Sequence, residues 1–130
     1  MIIEDDVEFE DSFFEKLDKV WFDDFDMLYL NGTNGVIRKP KVFNENMFSC
    51  SEVYGTFAYV MNKRFYDVAI EWLTREQYPC DKVFSMFIQF YKVYKLRVPL
   101  VFHREGLSDI QGVVPNNYKH LQRGGKVQKI

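Results

Sequence analysis

Three consecutive carboxylates stand close to the start of the chain, directly after two β-branched apolar residues. The segment reads Met1-Ile2-Ile3-Glu4-Asp5-Asp6, which predicts a short buried strand that ends in acidic side chains. Because side chains alternate along a strand, Glu4 and Asp6 should lie on one face and Asp5 on the other. Two carboxylates on one face suit a hard divalent cation such as Mg²⁺ or Mn²⁺, which keeps coordination positions open for phosphate.

Two other interpretations of these acids have to be weighed. An EF-hand needs alternating acids and a glycine at the sixth loop position, and the residues after Asp6, Val7-Glu8-Phe9, do not supply them. An acidic surface loop needs only solvent, and it explains three acids after two isoleucines as well as a metal site does. Taken alone, the motif therefore leaves the metal site and the surface loop open.

The apolar spacing predicts three helices. Ser12 and Glu15 form a capping box at the start of the first helix, after an acidic connection from Val7 to Asp11. Asn62 is expected to cap the second helix and Asp81 the third. The expected apolar faces are Phe13, Phe14, Leu17, Val20 and Trp21 in the first, Phe65, Ala69, Trp72 and Leu73 in the second, and Phe84, Phe87, Ile88 and Tyr91 in the third.

Short β-type segments separate these helices. Strands are predicted at 27–30 and 56–61, a pair of short strands within 41–53, and one strand at 94–102. Asn31-Gly32 and the polar residues to Pro40 should form turns and a loop. The alternation of strands and helices predicts an α/β fold with a mixed sheet and flanking helices.

Composition narrows the functional class only slightly. A chain of 130 residues with 47% hydrophobic residues fits one domain with a full core. The net charge of −2 does not indicate a nucleic-acid binder, and the basic residues near the end, Lys119, Arg123, Lys126 and Lys129, are too few and lack interleaved aromatics. Cys50 and Cys80 have no zinc-type spacing. Without a signal-peptide pattern or an apolar run of membrane-spanning length, a cytoplasmic location is expected.

Five blocks taken in order resemble glycosyltransferase family 25, which includes the lipooligosaccharide and collagen galactosyltransferases. The first is the acidic motif itself, in the setting apolar-Glu-Asp-Asp-apolar. The others are a Tyr-Leu-containing strand, a Thr-x-Ala-Tyr-apolar strand, a Pro-x-Asp block and a late Ser-Asp-Ile. In this chain the blocks are residues 2–7, 26–32, 56–61, 79–81 and 108–110.

The resemblance implies a GT-A type fold and metal-assisted transfer of a hexose, galactose or glucose, from a UDP-sugar to a glycan or protein hydroxyl. It implies that Glu4 and Asp6 bind Mn²⁺ or Mg²⁺. His103 is a candidate nitrogen ligand for the same ion, and a lone histidine near a strand end is more often structural. It places Glu4, Asp5 and Asp6, together with Ser108 and Asp109, around the nucleotide-sugar. Asp81 would be the catalytic base that takes the acceptor proton; a plain helix N-cap explains the same residue equally well.

The resemblance also predicts the domain organisation. Residues 1–112 correspond to the C-terminal part of such a catalytic domain, and 113–130 form a basic tail. The family's nucleotide-binding first half would precede Ile2, so the sheet should be N-terminally truncated and the chain weakly active or inactive alone. The alternative function is a non-catalytic binding or assembly module, in which a partner chain or a second copy completes the sheet.

Overall fold

A six-stranded mixed sheet forms the centre of the computed structural model, which describes residues 1–35 and 37–104. With strands numbered along the chain, the order across this sheet is β1 (Ile2–Ile3), β8 (Ala58–Met61), β3 (Met27–Tyr29), β9 (Val93–Leu96), β6 (Met47–Ser49) and β5 (Lys41–Val42). Two smaller pairs accompany it: β2 (Val7–Phe9) with β10 (Val101–His103), and β4 (Thr33–Asn34) with β7 (Val53–Tyr54).

Strand direction brings three carboxyl ends to one edge of the main sheet. β3 and β9 are parallel, whereas β8 runs antiparallel to both of its neighbours, β1 and β3. β1, β3 and β9 therefore point the same way and end together. In open α/β sheets, ligands bind outside the carboxyl ends of strands, so residues that follow these three strands are the first candidates for a site.

Helices and the β2–β10 pair cover the two faces of the sheet. On one face, α1 (Phe13–Val20) and the β2–β10 pair bury Leu28, Val60 and Leu96; we call this the α1 face. On the other face, α2 (Tyr66–Arg75) and α3 (Cys80–Phe87) bury Met27, Tyr29 and Val93. Successive residues of β3 enter opposite cores, as the alternation of a strand requires.

The sequence-based prediction of a mixed sheet with flanking helices is confirmed, as are most of the elements. Strands lie within 27–30, 56–61 and 41–53, and all three helices form. Asn62 caps the second helical segment, since its side chain accepts a hydrogen bond from the Arg64 amide at 3.2 Å. Phe84, Phe87 and Ile88 are fully buried, whereas Phe14 and Trp21, expected on the apolar face of α1, are exposed.

Several local predictions were wrong, and the polar loop expected to reach Pro40 contains β4. The connection at 7–11 contains β2, and the strand expected at 94–102 is split into β9 and β10 by a non-strand stretch at 97–100. Ser12 has a left-handed backbone, φ 57°, and its side chain makes no capping bond. Ile2 is 46% exposed, because β1 is an edge strand with β8 as its partner.

Asp81 does not cap α3. That helix begins at Cys80, the cap position is Pro79, and Asp81 lies in the first turn. Both cysteines are free thiols. Within 1–35 and 37–104, no helix combines the length and the apolar character needed to cross a membrane.

Candidate metal centre

Backbone pairing brings three residues from distant parts of the sequence to the carboxyl end of β1. Glu4 directly follows β1, and its amide donates to the Phe57 carbonyl at 2.8 Å. The chain then turns through Asp6 into β2, whose first residue, Val7, pairs with His103 at the end of β10. The Arg104 amide donates to the Asp6 carbonyl at 2.7 Å and closes this end of the β2–β10 pair.

The side chains of Glu4, Asp6 and His103 converge. One ligand atom from each lies within 4.8 Å of the other two. His103 Nε2 is 3.1 Å from Asp6 Oδ2, and the Phe57 ring packs edge-on against the imidazole at 5.6 Å between centroids. These are the three residues that the sequence predicted as metal ligands, and the structure brings them together.

The hydrogen bonds of His103 define the state of its imidazole. Nδ1 lies 2.9 Å from the Arg104 carbonyl, which can only accept, so Nδ1 must carry a proton and donate. Nε2 then faces a carboxylate oxygen across 3.1 Å. Two lone pairs at that distance repel, so this contact requires a proton shared between the two groups or a cation bound between the two atoms. Metal-ligating histidines commonly donate the other ring N–H to a carbonyl in this way.

The donor set fits a divalent cation. Asp6 Oδ1 is buried and makes no hydrogen bond within the described residues, which is costly for a carboxylate oxygen unless a ligand satisfies it. Bonds of about 2.2 Å keep the ligand atoms of one ion within about 4.4 Å of each other, so a small side-chain rotation would close the site. Two carboxylates with one imidazole favour Mn²⁺ over Mg²⁺, which prefers oxygen ligands.

The acids around this centre repel one another. Partial burial raises the pKa of Glu4, the charges of Asp6, Asp5 and Asp81 raise it further, and His103 opposes them. A bound cation would reverse the effect of burial and of these neighbours. The site is therefore electrostatically prepared for positive charge.

Asp81 lies near this centre, although it does not reach into it. Its Oδ1 accepts a hydrogen bond from the Lys82 amide at 2.7 Å, and its Oδ2 is 3.5 Å from the amide of Gly55. Gly55 has φ 85°, a left-handed conformation that favours glycine, and it brings the backbone towards α3. The charge of Asp81 is the smallest of the contributions that raise the pKa of Glu4.

The remaining predicted site residues do not belong to the Glu4–Asp6–His103 cluster. Asp5 is exposed between Glu4 and Asp6, in a turn after the end of β1 at Ile3, so strand alternation does not apply to it. Ser108 and Asp109 lie outside the described residues, as do the basic residues of 113–130. Two residues that the sequence did not suggest support the centre: Phe57 holds the imidazole ring, and Arg104 supplies backbone bonds on both sides. Only the pairing of β2 with β10, which is not visible in local patterns, could have revealed them.

Comparisons with protein-family models, with curated proteins and with solved structures found no match for this chain. The resemblance to glycosyltransferase family 25 therefore depends on the five sequence blocks alone and stays a prediction.

Proposed function

We propose that the chain is a metal-assisted hexosyltransferase of the family 25 type, with a GT-A type fold. Its donor would be a UDP-sugar carrying galactose or glucose, and its acceptor a hydroxyl of a glycan or a protein. The observation that carries the proposal is the convergence of Glu4, Asp6 and His103 at the carboxyl end of β1. The five ordered sequence blocks supply the reaction class.

Each residue has a defined part in this proposal. Glu4, Asp6 and His103 hold Mn²⁺, and a bound metal would neutralise the diphosphate leaving group as the sugar departs. Asp5, Ser108 and Asp109 contact the nucleotide-sugar. Asp81 accepts the proton of the acceptor hydroxyl as it attacks.

Metal binding is the first experiment. Calorimetry should detect Mn²⁺ binding to the chain, and Asp6→Asn should weaken it at least about tenfold, because the negative charge and one of the two donor oxygens are lost. Asp18→Asn is the matched control: it makes the same change at an exposed residue of α1 that lies outside the cluster. Equal Mn²⁺ affinity in all three proteins would contradict the metal centre.

Donor binding and transfer separate the remaining parts of the proposal. UDP should bind only when Mn²⁺ is present. Asp81→Asn should leave Mn²⁺ affinity within about twofold, yet lower Mn²⁺-dependent transfer from UDP-galactose or UDP-glucose by about 100-fold or more, the usual contribution of a general base. Transfer is measured with a longer protein in which a nucleotide-binding half of the family type accompanies this chain. No transfer by that longer protein would refute the proposed activity.

A second function, a non-catalytic binding or assembly module, is favoured by the edge of the sheet. β1 is an outer strand, and Met1 and Ile2 are 52% and 46% exposed there. Exposed apolar edges pair readily with other chains, and an edge lysine blocks such pairing. If the chain self-associates through β1, Ile2→Lys should convert a dimer into a monomer in light scattering. A wild-type protein that is strictly monomeric and captures no second chain would exclude this function.

A further inference from the structure

A cavity of about 410 Å³ opens on the α1 face, away from the Glu4–Asp6–His103 cluster. Its walls are the second half of α1, the turn between β5 and β6, and the segment that follows β9. None of its lining residues belongs to the candidate metal centre. Pockets that bind small molecules have volumes of roughly 300–1,000 Å³, so this cavity is large enough for one.

The interior of the cavity is apolar. Leu96 and Leu100 form its floor and are themselves part of the core, with exposures of 3% and 5%. Val20 adds a half-buried wall from α1. Val98 lies at the mouth and is 71% exposed, an unfavourable position for a valine in water. A ligand with an apolar body would cover this side chain and the floor together.

The rim of the cavity carries charged side chains of both signs. Lys16 and Lys19 line one side and Glu45 the other. Lys16 is already engaged by Glu10, at 3.1 Å between Nζ and Oε1. Lys19 has no ion pair within the described residues, and it is exposed. The ammonium of Lys19 is therefore available to an anionic group on a ligand.

Backbone bonds hold the walls in place. The Arg97 amide donates to the Asn46 carbonyl at 2.8 Å, and the Arg97 guanidinium donates to the Glu45 carbonyl at 3.3 Å. On the other side, the Glu10 amide donates to the Leu100 carbonyl at 2.9 Å. A preformed cavity loses little conformational freedom when a ligand enters.

We propose that this cavity binds a small amphipathic anion. The apolar body of the ligand lies against Val20, Val98 and Leu100, and its carboxylate or phosphate group contacts Lys19. The inference does not depend on the proposed sugar transfer, since it uses neither the acidic cluster nor any metal.

Charge preference among ligands with the same apolar body provides the test. Decanoate, decyl phosphate and decyltrimethylammonium are titrated as monomers while amide resonances are followed by NMR. We expect both anions to bind more tightly than the cation, with shifts concentrated at 16–20, 45–46 and 96–100. The two anions identify the preferred head group. Binding of phosphatidylglycerol vesicles without binding of either free anion would overturn the proposal in favour of a membrane surface.

Variants at the rim decide whether the cavity is the site. Lys19→Glu should weaken decanoate binding by about fivefold or more and improve binding of decyltrimethylammonium. Lys63→Glu makes the same charge change at an exposed residue that follows β8, at the end of the sheet opposite the carboxyl ends of β1, β3 and β9. It should change neither the affinity for decanoate nor that for decyltrimethylammonium. Val98→Asp should weaken decanoate binding as well. Unchanged affinities in both rim variants, or absence of binding by any of the three ligands, would overturn the proposal.

Discussion

At the scale of single residues, the most unusual side chain is a lysine inside the sheet. Lys95 lies on β9 and is only 6% exposed. Its Nζ donates to the Gly32 carbonyl at 3.0 Å and lies 5.9 Å from the centre of the Phe48 ring. Burial lowers the pKa of Lys95, because the charged form is poorly solvated there, and the nearby thiol of Cys50 opposes this only in part.

Lys95→Met should stabilise the protein by roughly 1 kcal/mol at pH 7, because an apolar side chain avoids burying a charge. The depressed pKa predicts how this difference changes with pH. Between that pKa and the ordinary value of 10.5, the folded protein releases the proton before the unfolded chain does, so wild-type stability rises with pH. The advantage of methionine should therefore shrink towards pH 10.5. Urea unfolding of both proteins at pH 7 and pH 10 measures the difference in their stability. A difference that does not change with pH would contradict this prediction.

Tyr29 carries a buried hydroxyl that makes no hydrogen bond within the described residues. Its side chain is fully buried, and burial raises its pKa well above the ordinary value of 10.0. Tyr29→Phe removes an unsatisfied group and should leave the free energy of unfolding unchanged or raise it by up to about 1 kcal/mol. Tyr54→Phe, which loses a 2.8 Å bond to Glu52, should instead cost about 1 kcal/mol. Thermal unfolding of both variants tests the contrast; a large loss in Tyr29→Phe would show that its hydroxyl has a partner.

At the scale of elements, a set of ion pairs joins the starts of β3 and β9 to the end of β8. Asp26 accepts from the Arg64 guanidinium at 2.7 Å and from the Lys92 amide at 2.9 Å. Asp24 contacts the same two residues through their side chains, at 3.3 and 2.6 Å. The side chain of Asp26 is 14% exposed and that of Asp24 is 64% exposed, so the two aspartates should differ in their contribution to stability.

Asp26→Asn should lower the free energy of unfolding by about 1.5–3 kcal/mol, because it weakens two bonds to a largely buried carboxylate that links three strands. Asp24→Asn is the matched control and should leave stability almost unchanged, since an exposed pair is screened by solvent. Chemical denaturation of the two variants compares them directly. Equal losses would mean that burial does not distinguish the two pairs.

The sequence predicts those elements whose residues interact locally. The helices and the strands β3 and β8 follow from spacing and β-propensity, because each has one or two faces that must be buried. β2 was not predicted: its ladder partner is β10, almost a hundred residues later, and its own residues alternate poorly. The capping box predicted at Ser12 does not form for another reason. The left-handed backbone of Ser12 directs its hydroxyl away from the amides that a capping box would satisfy.

The three side chains of the candidate centre were named from the sequence and lie close together in the fold, and metal binding by them stays a prediction. Glu4, Asp6 and His103 came from a motif and a family resemblance, and the structure brings them within reach of one ion. The orientation of His103, fixed by the Arg104 carbonyl and the Phe57 ring, could not be read from sequence. The cavity on the α1 face could not be predicted from the sequence either, because its walls come from three segments that meet only in the fold.

At the scale of the whole molecule, the β2–β10 pair lies between the two candidate sites. Asp6 and His103 mark one end, whereas Glu10 and Leu100, next to the cavity, mark the other. Four residues of strand span about 13 Å, so the two sites are separate but share one support. That support joins the main sheet through a few backbone bonds, such as the 3.2 Å bond from the Leu100 amide to the Leu30 carbonyl.

A metal bound by Glu4, Asp6 and His103 would tie this pair of strands to β1. Mn²⁺ should therefore slow amide hydrogen exchange at Val7–Phe9 and Val101–His103, by up to about 100-fold when its concentration is 100 times the dissociation constant. The hairpin of β5 and β6 at the far edge should not respond, because none of the three ligands contacts it. Exchange measured by mass spectrometry, with Asp6→Asn as the protein that cannot respond, tests this. Uniform slowing along the chain would point instead to global stabilisation, and no slowing would mean that the three side chains do not share an ion.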